Sequence, residues 1–385
     1  MPVLAEIGRW LRFSRLPRNI HPVAWWVWAI SVAVAATWTT NPLLLLLLMA
    51  ASTCVVLRRR GDAPWSRSFR LYVMLGATIV VLRVFFRIVF GGGEGTTVLL
   101  RLPDIPLPQW AAGIRLFGTV SAQSVLGGLY NGLQLAAMVL CVGAANALAN
   151  PKRLLKAVPN GLYDVGTAVI VAVSVFPQLA ESVQRVRRAR RLRGGLGKRH
   201  AVRAVVIPVL ADALDRSLLL AAAMDSRGYG RHGRDGARAG AITGALTIVG
   251  MIGVCIGAYN MLGPDPNFWL KWPALIGGLV LGCSGLFVAS TRVRTTRYRP
   301  DPIDLTAVLV GACGLGTVVL MYAAKQWQPA HLVPTLQPLE WPVIDTLPLL
   351  AALVAMLPAW IAPHAPMSTS SSPETVVPQE IGVAA

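Results

Sequence analysis

Apolar residues along the chain gather into runs close to the roughly 20 positions needed to cross a bilayer as a helix. Val23 to Thr39 and Pro42 to Leu57 are parted by a Thr40-Asn41-Pro42 step that breaks a helix, so they predict a tight helical hairpin. Leu71 to Phe90 and Gly118 to Ala149 supply two more runs. After a long middle section come Ile242 to Leu262, Trp272 to Ser290, Ile303 to Ala324 and Val343 to Ile361. The chain therefore reads as an all-α polytopic membrane protein with about eight spans.

The middle section follows another pattern. Gly161 to Ala180 is apolar, yet it contains Asp164 and Pro177 and has basic residues on both flanks. A single crossing would leave one basic cluster on the outer side, against the usual placement of Lys and Arg. The segment is expected to lie in the membrane or re-enter it, merging with the charged helix after Glu181. Farther on, Val209, Leu210, Ala213, Leu214, Ser217, Leu218, Ala221 and Ala222 recur at helical steps, with Asp212, Asp215 and Arg216 opposite. That spacing predicts an amphipathic helix whose charged side is solvated, with Pro208 near its start and Gly228 and Gly230 placed to stop it. The resulting domains are residues 1–150 (four spans), 151–238 (a cytoplasmic or interfacial region with long amphipathic helices), 239–362 (four spans) and 363–385 (a disordered tail).

Charge then assigns sides. Only 14% of residues are charged, against about 25% in soluble domains, which excludes an ordinary soluble enzyme. The net charge of +19 concentrates in loops such as Arg58 to Arg70 and Arg292 to Arg299. These loops are expected in the cytoplasm, whereas Glu94 to Arg115, with balanced charge, is expected outside. Both termini then fall on the cytoplasmic side of the plasma membrane. Arg9, Arg12, Arg15 and Arg18 line one side of a short N-terminal helix, suited to an anionic lipid surface, although a plain positive-inside anchor is enough to account for them. Arg83 and Arg87 share one face of the third span, where they either face protein or water or snorkel to the interface. Gly128 and Gly132 form a small-xxx-small pair that permits close helix approach.

Candidate chemistry is sparse. The five cysteines stand singly in apolar runs, which suggests neither a zinc site nor a disulfide framework. Gly195-Leu196-Gly197-Lys198-Arg199 lacks the first glycine, the Ser or Thr and the preceding strand of a phosphate loop. No ATP, other cofactor or metal is therefore expected to bind directly, and no catalytic residue emerges. Asp212 and Asp215 resemble half of an acidic metal motif, but no second pair accompanies them. A nucleic-acid partner is not expected either, because Glu181 to Ala239 has Tyr229 as its single aromatic residue.

Two Arg-Gly steps remain, Arg193-Gly194 and Arg227-Gly228. Each places a guanidinium beside a glycine able to end a helix, so the arginine can reach into a partner's groove and pair with a carboxylate. The bland reading is two basic helix ends over anionic lipid. Pro177, the stretch Glu181 to Gly194 (ESVQRVRRARRLRG, including Ala189) and the stretch Ala221 to Gly230 (AAAMDSRGYG, including Ser226) resemble the paired Ala-Arg-Gly/Ser motifs of the transmembrane component of energy-coupling factor transporters, the EcfT/CbiQ family. The resemblance runs from about Arg9 to Leu262; Leu192 and Ser226 stand where the family favours Ala, and the spans from Trp272 onward exceed its usual core. It implies no enzyme, but a coupling scaffold that joins two cytoplasmic ATP-binding-cassette ATPases to a small membrane subunit capturing a vitamin or metal ion. Arg193 and Arg227 would each dock in one ATPase, with Gly194 and Gly228 setting their geometry, and ATP would be hydrolysed by the partners. The alternative class is a membrane enzyme acting on lipid-linked phosphate substrates, with the basic insert holding head groups.

Overall fold

The computed structural model describes residues 20–61, 68–90, 95–101, 103, 105–106, 115–116, 118–157, 163–192, 203–228, 236–262, 268–292 and 303–364. The N-terminal arginines, the Arg294 to Arg299 segment and the tail beyond His364 lie outside them. The described residues form helices α1 Pro22–Thr37, α2 Pro42–Arg59, α3 Phe69–Val89, α4 Ala122–Leu148, α5 Pro151–Lys156, α6 Tyr163–Leu192, α7 Arg203–Ser226, α8 Gly236–Leu262, α9 Phe268–Arg292, α10 Leu305–Trp327, α11 Pro329–Leu332, α12 Thr346–Met356 and α13 Pro358–Ile361. The all-α reading holds. Its exception is a minor ribbon before α4, where Val98–Arg101 pairs with Thr119–Ser121 and Ile105–Pro106 with Arg115–Leu116, both antiparallel.

Among the described residues, seven helices are long and apolar enough to cross a membrane. They include α2, α3, α4, α8, α9 and α10, as the hydrophobic runs predict. The seventh is Gly166–Leu192 within α6, which the charge argument had kept from a simple crossing. Two of the predicted spans are shorter: Pro22–Thr37 and Thr346–Ile361 fall below the length of the others. A helix of 16 residues, as in α1, rises only about 24 Å. Both are clamped by neighbouring helices instead.

The chain divides into two units, residues 1–154 with 300–385, and residues 155–299. In the first, α1 packs on α4 and α10, α2 on α4 and α12, and α3 on α4. Trp28 sits fully buried at the centre, and its indole Nε1 donates to Ala355 O at 3.0 Å. The final helices thus complete the core built on the first hairpin rather than forming a separate layer. Polar ties close both ends of this bundle. At one end Asn41 caps α2 by accepting from Leu43 N at 3.1 Å, while its Nδ2 donates to His331 O at 3.0 Å and Val343 O at 2.8 Å. Gln134 Nε2 shares its two hydrogens among Ala36 O and Thr37 O at the end of α1 and Thr39 O in the turn, carbonyls of the kind a helix end leaves without intrahelical partners. At the other end the buried Arg59 donates to Ala359 O through Nε at 3.0 Å and Nη2 at 2.6 Å, and Arg58 lies 5.0 Å from the Trp360 ring centre.

In the second unit α6 packs on α7, and α8 on α9. The α8–α9 contact is a close backbone approach: a Cβ on Gly253 would stand 3.0 Å from Gly278 Cα. Small residues allow this crossing where apolar burial gives little drive between helices in lipid.

Asn41→Ala would remove the α2 cap and leave the His331 and Val343 carbonyls without this donor. The expected loss is about 2–4 kcal/mol, a cap plus unpaired buried polar groups. It is read as a lowered melting temperature of the detergent-solubilised protein, with Asn41→Asp recovering only the cap.

Candidate functional site

The charged middle of the chain folds as a hairpin of two long helices. α6 runs unbroken from Tyr163 to Leu192 with Pro177 inside it, so the apolar segment and the arginine-rich segment merge into one helix, as expected. α7 begins at Arg203, and Pro208 therefore lies inside it rather than at its first turn.

The contact between them is polar. Asp212 Oδ2 accepts from Ser182 Oγ at 2.7 Å, and Asp212 Oδ1 from Arg216 Nε at 3.1 Å. Arg216 Nη1 also donates to Gln178 Oε1 at 3.2 Å. The expectation of a solvated charged side on α7 holds for the exposed Asp215 and only in part for Asp212 and Arg216, which are half-buried. Asp212 and Arg216 turn toward α6, because Gln178 and Ser182 offer them partners there. The leucines take the open side instead: Leu210, Leu214 and Leu218 are 57%, 56% and 67% exposed. An i,i+4 Asp-Arg pair is visible in sequence, but Gln178 and Ser182, which complete the network, carry no signal there.

Electrostatics follow from these bonds. The Ser182 hydroxyl, and after it the Arg216 guanidinium, hold the Asp212 carboxyl below its ordinary value. A depressed carboxylate contributes stability above its unfolded pKa and loses it as pH falls through the folded one.

α7 ends in the geometry that the glycine demands. Arg227 N donates to Met224 O at 3.1 Å and Gly228 N to Asp225 O at 2.8 Å, tightening the last turn. Gly228 has φ of 75°, the left-handed conformation that a side chain would strain. An added Cβ there would meet nothing within 4 Å, so backbone conformation and not crowding calls for glycine. Arg227 itself is exposed, with no side-chain hydrogen bond or ion pair among the described residues. Ser226 closes α7 with its Oγ donating to Ala223 O at 2.9 Å. On α6, Pro177 and Ala189 are both exposed. Arg193, Gly194 and the Gly195 to Arg199 segment lie outside the described residues, one position and more beyond the end of α6.

The left-handed Arg227-Gly228 turn therefore closes the second of the paired motifs, on a chain of membrane-crossing helices. The family model of CbiQ, described as a cobalt transport protein, matches residues 13–235. The chain belongs to the CbiQ family. The match takes in more than half of the protein and covers both Arg-Gly steps, while α8 to α13 lie beyond it. No curated protein matches the chain. As a CbiQ-family member the protein is a multi-pass membrane component of cobalt or energy-coupling-factor type transport.

Asp212→Ala should loosen the α6–α7 hairpin, seen as faster hydrogen exchange through α7, whereas Asp215→Ala should change little. The pH dependence has the same origin. The wild-type hairpin should stay protected on acidification down to about pH 4, the ordinary carboxylate value, and open only below it.

Proposed function

We propose that this CbiQ-family protein is the transmembrane coupling component of an ATP-driven importer, docking two cytoplasmic ATP-binding-cassette ATPases. The single observation that carries the reading is Arg227, exposed and uncommitted at the end of α7 on the left-handed Gly228 turn. A guanidinium held this way suits bidentate pairing with a carboxylate in a partner groove. Arg193, followed by Gly194, is its counterpart after α6.

The hairpin gives such docking a route inward. Its polar contact lets α6 and α7 move as a pair, and the uncovered leucines of α7 supply an apolar face for a small membrane subunit that captures the solute. Motion of the ATPases would pass from Arg193 and Arg227 along the two helices to that face. In this arrangement both chain termini and the Arg-Gly turns lie on the cytoplasmic side of the plasma membrane. ATP binds to the partners, and this chain binds no cofactor of its own. The solute is a vitamin or a metal ion, and the family's description brings the metal ion forward.

Arg227→Glu is expected to abolish ATPase co-purification and solute uptake while the protein still inserts. The loss is on the order of 2–5 kcal/mol of docking energy if the pair is buried in the partner. Gly228→Val should impair docking too, by straining the turn that presents Arg227. Normal ATPase capture and uptake in Arg227→Glu would refute the proposal.

A further inference from the structure

Two arginines in the first unit have no part in the docking scheme. Arg83 and Arg87 stand on α3, which is long and apolar enough to span the membrane. They border a cavity of about 570 Å³ between α3 and α4. Its apolar wall is Ile79, Leu82 and Phe86, and Gly128 and Asn131 of α4 close the other side. The glycines make the room. A Cβ on Gly128 would stand 2.7 Å from Arg87 Cγ, and one on Gly132 would stand 3.3 Å from Arg83 Cβ. The arginine stems therefore lie against α4 where any larger residue would displace them.

Both guanidinium groups are free of hydrogen bonds and ion pairs among the described residues. Asn131 commits one of its two Nδ2 hydrogens to Gly127 O at 2.9 Å, so the two guanidinium groups are the charged donors bordering the groove. Such charges are costly at membrane depth unless an anion or water meets them. At 1.5 Å per residue Arg87 lies about 3 Å, and Arg83 about 9 Å, short of the Val89 end of α3. Helical side chains lean toward the helix N-terminus, here away from that nearer interface. Snorkelling out is thus opposed for Arg83, and the charge must be met in place.

We infer that the α3–α4 groove binds an anionic phospholipid, its phosphate between Arg83 and Arg87 and an acyl chain along Ile79, Leu82 and Phe86. Charge complementarity selects this occupant. Two cations one helical turn apart, within about 9 Å of the Val89 end of α3 and opening onto an apolar trough, match an amphiphile with an anionic head and a hydrocarbon tail. The site is independent of ATPase docking.

The test is native mass spectrometry of the full-length protein released from nanodiscs containing equal phosphatidylglycerol and phosphatidylcholine. The wild type should retain phosphatidylglycerol at least about tenfold over phosphatidylcholine, a gap that a charge-assisted phosphate contact can supply. Arg83→Gln with Arg87→Gln should bring the ratio near unity, and Arg83→Lys with Arg87→Lys should keep most of it. Leu82→Trp, which fills the groove from an exposed position and spares the charges, should weaken retention as well, so the test survives poor folding of the glutamine pair. Absence of preference in the wild type overturns the proposal, as does preference retained in both the glutamine pair and Leu82→Trp. So does an unchanged lipid ratio with loss of a membrane subunit that carries a carboxylate in its span, which would make the occupant a partner helix.

Discussion

Inside a bilayer every backbone polar group must find its partner within the protein, and the first unit is arranged around the place where that is hardest. The chain turns between α1 and α2 in a few residues, exposing the last carbonyls of one helix and the first amides of the next. Asn41 and Gln134 answer both needs. Asn41 serves the start of α2 and ties the turn to the α11 region through the His331 and Val343 carbonyls. Gln134 of α4 gathers the carbonyls at the end of α1. One short turn thereby links segments from the beginning, middle and end of the chain. The same logic operates at the opposite end, where Arg59 closes the last turn of α13.

These ties explain why α1 and the α12–α13 pair can be shorter than a full crossing. Gln134 meets carbonyls at the end of α1 and Arg59 meets Ala359 O of α13, and one face of each helix is buried against its neighbours while the other, with Ile30, Leu353 and Trp360, stays exposed. The second unit is held differently. Its α8–α9 pair relies on close glycine approach, and its α6–α7 pair on a single polar cluster around Asp212. Contacts of the latter kind are directional but few, which leaves most of α7 uncovered. The coupling role proposed for α6 and α7 would draw on such sparsely held contacts, since elements that move come from the less stable parts of a structure.

The hydrophobic pattern showed most of the crossing helices, because run length and flanking arginines register local properties. It could not show what each helix packs against. That Arg59 meets Ala359, 300 positions away, depends on tertiary pairing that no local periodicity encodes. The α7 face shows the same limit: local spacing places its charges on one side, but that Asp212 and Arg216 meet Ser182 and Gln178 while Asp215 stays in solvent depends on α6 lying alongside. Charge and length pull apart in one further place: the basic flanks argue against a simple crossing by Gly166–Leu192, while its length and composition allow one. In the candidate site, Gly228 was legible because a left-handed stop has few residue choices. Arg193 and Gly194 fall outside the described residues, so their part in docking rests on the motif.

Arginines near the membrane therefore have three distinct fates in this chain, and the differences are chemical. Arg59 is buried and spends its donors on the Ala359 carbonyl, twice, and on the His364 ring, so it acts as a structural clamp. Arg227 is exposed at the end of α7 on a turn of fixed conformation, where a free guanidinium in water carries little desolvation penalty. Arg83 and Arg87 lie between these extremes: their stems are packed against α4 while their charged ends lack partners. A clamp is satisfied on folding and a docking residue on assembly, but a partly embedded pair must be satisfied by whatever surrounds the protein all the time. Of the species always present around a membrane helix, only the lipid combines an anionic group with a tail suited to the apolar wall beside them.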